Sequence, residues 1–141
     1  MAGHDDGDGR DLARLLRSLR PSARPGEYVV ATVDPAAARA LVASDALAPD
    51  AVVVEDEGVT VVLSRERADR AGVPYGFVAA WITLGVHSSL DAVGLTAAFS
   101  TALARRGISC NVLAGFHHDH LLVPAAHRDR AMDVLRELAS G

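Results

Sequence analysis

The chain has 141 residues, of which half are apolar and 23% are charged, and its formal net charge is −4. This size and composition indicate a globular protein that buries its core without help from disulfides or metals. Every basic residue other than histidine is arginine and only 4% of residues are aromatic, which argues against a nucleic-acid-binding surface and excludes lysine chemistry such as Schiff bases.

Helices and strands alternate along the sequence after an acidic, glycine-rich start. Residues 1–10 are expected to form a disordered tail, because they offer little apolar surface and lack the features of a signal peptide. The periodicity of apolar residues predicts helices over 11–19, 34–44, 65–72, 90–106 and 128–139, and strands over 28–33, 51–55, 59–63, 77–86, 108–116 and 120–123. The longest apolar run, 77–86, is half as long as a membrane span, so we expect a cytoplasmic protein with no membrane or nucleic-acid partner.

The order of these elements repeats. Strand, helix, hairpin, helix and strand occur over 28–86, and the same order starts again at residue 77. This is the order of a ferredoxin-like βαββαβ unit. The predicted fold class is therefore α+β (an α/β sandwich) with two such units in tandem, 11–76 with a leading helix and 77–141, each an antiparallel sheet with helices on one face. The second unit lacks a last strand of its own, so the first unit or another chain must cover that edge.

The loop after strand 77–86 is the most informative segment for function. Ser88 and Asp91 have the spacing of a capping box, and helix capping alone accounts for them. The N–H groups at a helix start also attract a carboxylate, and Asp91 could accept a hydrogen bond from an α-ammonium group. Gly94 costs a helix about 0.5–1 kcal/mol relative to alanine, which either a bound ligand or tight helix packing would explain.

The strand predicted at 108–116 presents two faces. Alternation should bury one set of side chains against the helices, namely Ile108, Cys110, Val112, Ala114 and Phe116. Asn111 lies on the other face, where it could bind a ligand or a partner strand or be solvated. Cys110 is the only cysteine, so it cannot form an internal disulfide, and we expect it to act as a small buried hydrophobe.

A cluster of histidines follows this strand. A two-residue turn at 118–119 would place His117 opposite His120, within reach of one metal ion. Because zinc needs three or four protein ligands, we expect a solvated hairpin tip with no metal and no cofactor. Whether His117, His118 and His120 have any role is left open. The chain carries none of the common catalytic motifs, so we do not expect an enzyme; a small histidine-dependent metalloenzyme is an alternative.

Two long segments carry a resemblance to a known family. VHSSLDAVGLTAAFSTALARRGISCNVLAGFHHDHLLVP at 86–124 and EDEGVTVVLSRERADRAG at 55–72 resemble ACT domains, which are small regulatory modules that bind amino acids. The nearest match is a family of short bacterial tandem-ACT proteins of unknown function, related to the ACT regions of aspartate kinases. The resemblance extends from about residue 11 onward and implies a regulatory, non-catalytic role, with a free amino acid or similar small zwitterion as ligand.

The resemblance also implies which residues contact the ligand. In ACT domains the ligand lies at the strand-to-helix loop, which corresponds here to His87, Ser88, Ser89, Leu90, Asp91 and Gly94. The second strand of a neighbouring unit would face it with Cys110, Asn111 and Val112. ACT sheets usually extend across units, so we expect a homodimer, with a regulated enzyme in trans as a further candidate partner. A structural dimer module without a ligand is the main alternative.

Overall fold

A computed structural model describes the backbone of residues 5–86 and 93–141, and the side chains of residues 11–86 and 93–141. The helices in these ranges are α1 (Asp5–Arg17), α2 (Pro35–Ala43), α3 (Arg65–Ala71), α4 (Leu95–Arg105) and α5 (Arg128–Ser140). The strands are β1 (Pro21–Ala23), β2 (Tyr28–Val33), β3 (Ala51–Val54), β4 (Val59–Ser64), β5 (Val78–Leu84), β6 (Asn111–Ala114) and β7 (Asp119–Pro124). No helix in the described ranges is both long enough and apolar enough to span a bilayer.

The chain folds into two compact units, and only one of them is continuous in sequence. Residues Pro25–Ala80 form one, which we call the central unit. The segment ending at Arg24 joins residues Trp81–Gly141 to form the other, which we call the composite unit. Helix α1 contacts α4 and α5 within the composite unit, whereas the sequence grouped it with residues 11–76. The helix also begins at Asp5, so residues 5–10 are helical where a tail was expected over 1–10.

The central unit has the predicted ferredoxin-like arrangement. Its strand order is β3-β4-β2-β5, with every neighbouring pair antiparallel and only the first residues of β5 taking part. Val29 and Val61 are fully buried on the face of the sheet that α2 and α3 cover. They belong to one hydrophobic core that also contains Ala31, Ala38, Leu41, Val59, Leu63, Ala68 and Val73.

The composite unit repeats this arrangement with a strand taken from the other end of the chain. Its sheet order is β1-β5-β7-β6, and β1 lies antiparallel to the later residues of β5, with Pro21 opposite Leu84 and Ala23 opposite Ile82. Strand β1 thus closes the edge that the sequence left open. It comes from the segment that the sequence assigned to the first unit, so no second chain is needed to complete this sheet. Tandem βαββαβ units are confirmed.

Candidate functional site

The structure describes only part of the predicted ligand site. Five of its residues, His87, Ser88, Ser89, Leu90 and Asp91, lie outside the described residues. The capping box that Ser88 and Asp91 would form therefore stays a prediction. The structure places the other four, Gly94, Cys110, Asn111 and Val112, on either side of α4 in the sequence, all within the composite unit.

Gly94 precedes α4 instead of lying inside its first turns. The helix begins at Leu95 rather than at Leu90, and Gly94 is its N-cap residue. Its φ of +97° is in a region that side-chain-bearing residues rarely adopt. A Cβ at this position would also come within 3.0 Å of Leu12 Cδ2 on α1. Backbone conformation and the close approach of α1 together explain the glycine. The packing alternative expected from the sequence was helix–sheet packing, whereas the neighbour found is a helix.

The starts of the two equivalent helices, α4 and α2, differ in their hydrogen bonding. In α2, Asp34 Oδ1 accepts a hydrogen bond from Ala37 N at 2.8 Å, and Pro35 has no N–H group to satisfy. Gly94 gives α4 no such side-chain cap. The first four N–H groups of a helix have no partner within it. The start of α4 can therefore take an anionic group from outside, whereas in α2 the side chain of Asp34 already accepts from one of these groups.

Strand β6, which carries Asn111 and Val112, ends the sheet of the composite unit. Asn111 is exposed, Val112 is half-buried opposite Leu121, and Cys110 lies just before the strand. Burial raises the pKa of the Cys110 thiol to about 11, so the thiol stays protonated at neutral pH. Asn111 is therefore the one of these three residues that offers an exposed polar side chain.

The predicted burial of alternate residues over 108–116 is wrong toward the end of that segment. Ile108 is buried and Cys110 half-buried, but Ala114 is exposed and Phe116 is 82% exposed. The regular strand is only four residues long, Asn111–Ala114, so alternation does not extend to Phe116. An edge strand of this length also has a sheet neighbour on one side only, which leaves its end open to solvent.

The turn of the hairpin that β6 and β7 form also differs from the prediction. Gly115 N donates to His118 O at 3.0 Å, so the turn spans 115–118, and His117 lies within it. A Cβ at Gly115 would meet that oxygen at 2.8 Å, which makes glycine necessary at this position. His120 pairs across the sheet with Leu113 rather than with His117. The expected pairing of His117 and His120 is wrong, and no metal-binding group of three His, Cys, Asp or Glu residues occurs in the described part of the chain.

His120 instead belongs to a cluster that the sequence analysis missed. Its Nδ1 atom lies 3.2 Å from Trp81 Nε1 and 3.0 Å from Thr83 Oγ1. The guanidinium carbon of Arg24 lies 3.9 Å from the centroid of the Trp81 ring. The spacing of Trp81 and Thr83, two residues apart on β5, places both on one face of the sheet. That spacing was visible in the sequence, but their proximity to His120 depends on the sheet order.

Burial and charge both act on the His120 imidazole. Burial lowers its pKa most, and the positive charges of Arg24 and His118 lower the pKa further, with Asp119 opposing them. The Trp81 indole can only donate a hydrogen bond, and its N–H lies 3.2 Å from both His120 Nδ1 and Thr83 Oγ1. Nδ1 accepts this bond in the neutral tautomer of His120 that carries its hydrogen on Nε2.

Comparison with known protein families finds two domains in tandem. Two family models, each described as an ACT domain, match residues 9–80 and 77–137. The two matches overlap over 77–80, within or next to β5, the strand that contributes residues to both units. No curated protein matched the sequence.

Solved structures give the same architecture. A Vibrio cholerae protein of unknown function, described as a possible transport protein, is 44% identical and has a TM-score of 0.80; the match covers 92% of this chain and 97% of that one. An Agrobacterium tumefaciens protein is 21% identical over 86% of this chain and 89% of its own, with a TM-score of 0.62. The regulatory subunit of aspartate kinase from Thermus thermophilus, in ligand-free form, has 10% identity and a TM-score of 0.67 over 86% of this chain and 97% of that one, which shows a common fold.

Proposed function

Because the chain belongs to the ACT domain family, we propose that it is a regulatory protein that senses a free amino acid or a similar small zwitterion. The role is non-catalytic. The proposed ligand position is the segment 87–94 that leads into α4, faced by residues 110–112 of the composite unit in a second copy. The observation that carries this proposal is the start of α4, where among the described residues the N-cap Gly94 supplies no side-chain acceptor, in contrast to Asp34 at the start of α2.

The chemistry of a zwitterion suits such a position. Its carboxylate accepts hydrogen bonds from the N–H groups that begin α4, where the helix dipole contributes about 0.3–1 kcal/mol at an exposed site and more when partly buried. The ammonium group then pairs with Asp91, and the exposed amide of Asn111 is the available donor or acceptor on the opposing strand. Helix α4 contacts α1 and α5, so a ligand at its start can alter the stability of the composite unit.

A thermal-shift screen of the purified full chain against the twenty amino acids tests the sensing role. A ligand at 100 times its Kd adds about 2.7 kcal/mol, which raises the melting temperature by several degrees in a chain of this size. Asp91→Asn should remove the shift because it removes the carboxylate that pairs with the ammonium group. Asp133→Asn, the same change at an exposed position on α5, is the control and should respond as the wild type does.

Two results would count against the proposal. An unchanged response in Asp91→Asn would exclude the assigned position, and the absence of any amino-acid response would favour the structural dimer module instead. We also propose that the protein acts in the cytoplasm as a homodimer, with a regulated enzyme in trans as a further partner. The family and the fold support these proposals in general terms.

A further inference from the structure

A polar groove lies beside β1 and α5 in the composite unit. These two elements contact each other, and the groove has a volume of about 490 Å³, which is typical of small-molecule sites. One wall is strand β1, and the other consists of side chains of α5, namely Arg128, Asp129, Met132, Asp133 and Arg136. None of these residues belongs to the proposed ligand position, so the groove is a separate candidate site.

The backbone of β1 offers hydrogen-bonding groups to this groove. Among the described strands, β1 has a neighbour on one side only, which is β5. Arg24 N donates to Trp81 O at 2.9 Å, and because outward and inward groups alternate along an antiparallel strand, the N–H and C=O groups of Ala23 point away from β5. Pro21, two residues earlier, directs its carbonyl the same way and has no N–H group. The outer edge of β1 therefore offers one donor and two acceptors.

Charged side chains on the α5 wall are available to a ligand. Arg128 is half-buried and Asp129 is exposed, and within the described part of the chain neither side chain forms a hydrogen bond or an ion pair. Arg136 lies 3.8 Å from Asp133, and both side chains are exposed, so this pair contributes little. A ligand can thus meet a charge of either sign on α5 without breaking a strong contact.

The spacing of these charges sets the length of the ligand. Asp129 and Arg136 are about 10 Å apart along the axis of α5, at a rise of roughly 1.5 Å per residue. An extended peptide of three residues spans about the same distance. In a βαββαβ unit the second helix runs antiparallel to the strand that ends the unit, and β1 occupies the place of that strand. Asp129 thus lies towards the Ala23 end of the groove and Arg136 towards the Pro21 end.

We infer that this groove binds a short peptide of about three residues with free termini, extended antiparallel to β1. Its first residue donates to Ala23 O and accepts from Ala23 N, with its ammonium group beside Asp129. Its third residue donates to Pro21 O. The carboxylate of that residue has no N–H group to meet on Pro21 and is bound by Arg136. This combines the addition of a strand to a sheet edge with the capture of a terminal carboxylate.

Proline at the start of β1 explains why the ligand is short. A proline on an edge strand prevents a longer strand from pairing along it, so the edge suits a peptide that ends opposite Pro21. A free amino acid is too short to reach both Asp129 and Arg136. The inference therefore goes beyond the proposed sensing function in both ligand and position, and it does not rest on that function.

Isothermal titration calorimetry of the full chain with trialanine tests the inference, because trialanine has free termini and no polar side chain. We expect a single class of site. Trialanine with an amidated C-terminus should bind at least roughly tenfold more weakly, since a hydrogen bond between charged groups is lost. Free alanine should bind this site more weakly than trialanine does.

Three variants connect the binding to the groove. Arg136→Gln should weaken trialanine binding at least roughly tenfold and remove the preference for the free carboxylate over the amide. Ala23→Pro should abolish binding, because it removes the only outward N–H group of β1. Arg105→Gln, at an exposed position on α4, is the matched control and should bind as the wild type does. Far-UV circular dichroism checks that each variant is folded.

The possible results separate this inference from the sensing function. The absence of trialanine binding, or an Arg136→Gln variant that keeps the preference for the free carboxylate, would overturn the inference. Binding that is lost in Asp91→Asn but kept in Ala23→Pro would overturn it as well, in favour of the segment 87–94. Trialanine binding without any response to single amino acids would contradict only the sensing function.

Discussion

At the scale of single residues, the surroundings of His120 predict that the stability of the protein depends on pH. Its Nδ1 atom accepts from the Trp81 indole at 3.2 Å and lies 3.0 Å from the Thr83 hydroxyl. Protonation would place a hydrogen on Nδ1 and break its bond from Trp81, because the indole cannot accept; the indole would then keep only Thr83 Oγ1, at 3.2 Å, of these two acceptors. The charged ring would also face the Arg24 guanidinium, which already lowers the His120 pKa.

We predict that the free energy of unfolding falls as the pH drops below neutrality. The pKa of His120 is lower in the folded protein than the ordinary value of 6.5, so the folded state binds fewer protons than the unfolded state. The stabilisation is therefore complete above the unfolded pKa and is lost as the pH falls through the folded pKa. Urea unfolding followed by fluorescence of Trp81, the single tryptophan, measures this from about pH 7.5 to about pH 5.5.

Two variants isolate the contribution of His120. His120→Asn keeps an acceptor near the position of Nδ1 but does not titrate, so it should reduce the pH dependence. His117→Asn, at an exposed position in the turn, should leave it unchanged. Equal pH dependence in the wild type and in His120→Asn would show that another group is responsible.

At the scale of elements, the sequence predicted the helices and strands that are long enough to show a repeating pattern of apolar residues. Strands β2, β4 and β5 are runs of six or seven mostly apolar residues, and alternation or continuous apolarity identified them. Strand β1 has only three residues and begins with a proline, so nothing local distinguishes it from a turn. Its strand geometry depends on pairing with β5, about sixty residues later in the chain, a relation that local patterns do not contain.

The candidate site stays a prediction, because five of its residues lie outside the described part of the chain. The sequence singled out Gly94 because a glycine near a helix start is unusual. The reason for that glycine was not visible, since Leu12, which a Cβ at Gly94 would contact, lies on α1, about eighty residues earlier. The burial predicted for the end of the segment 108–116 was wrong for a related reason. An edge strand has a sheet neighbour on one side only, so the burial of its side chains does not follow strict alternation.

Strand β1 also supports a prediction from its hydrogen-bond pattern. Arg24 N donates to Trp81 O, and Gly85 N donates to Arg20 O, both at 2.9 Å. In an antiparallel ladder, hydrogen-bonded pairs recur at every second residue, so Ser22 and Thr83 form the pair between them. The N–H of Ser22 therefore points towards β5, whereas that of Ala23 points away.

We predict that Ser22→Pro destabilises the protein by about 1–3 kcal/mol, since it removes a donor and leaves a carbonyl on β5 without its partner. Ala23→Pro makes the same substitution one residue later, where no ladder hydrogen bond is lost, and should cost clearly less. Urea unfolding of the two variants measures the difference. Equal losses of stability would mean that β1 does not hold the composite unit through this pairing.

At the scale of the whole molecule, the two units share one strand. The first residues of β5 pair with β2 in the central unit, with Val29 opposite Val78. Its later residues pair with β1 in the composite unit, with Ala23 opposite Ile82. If the central unit unfolds, the first residues of β5 lose their pairing with β2, directly before the residues of β5 that pair with β1.

We predict that the chain unfolds in one cooperative transition. Leu63→Ala removes a fully buried side chain from the core of the central unit and should cost about 2–5 kcal/mol. Trp81 belongs to the composite unit, so its fluorescence reports on the unit that was not changed. The urea midpoint of this fluorescence should fall together with that of the far-UV circular dichroism signal. Independent units would instead give a Trp81 midpoint unaffected by Leu63→Ala and a two-step circular dichroism curve, because the loss would be confined to residues Pro25–Ala80.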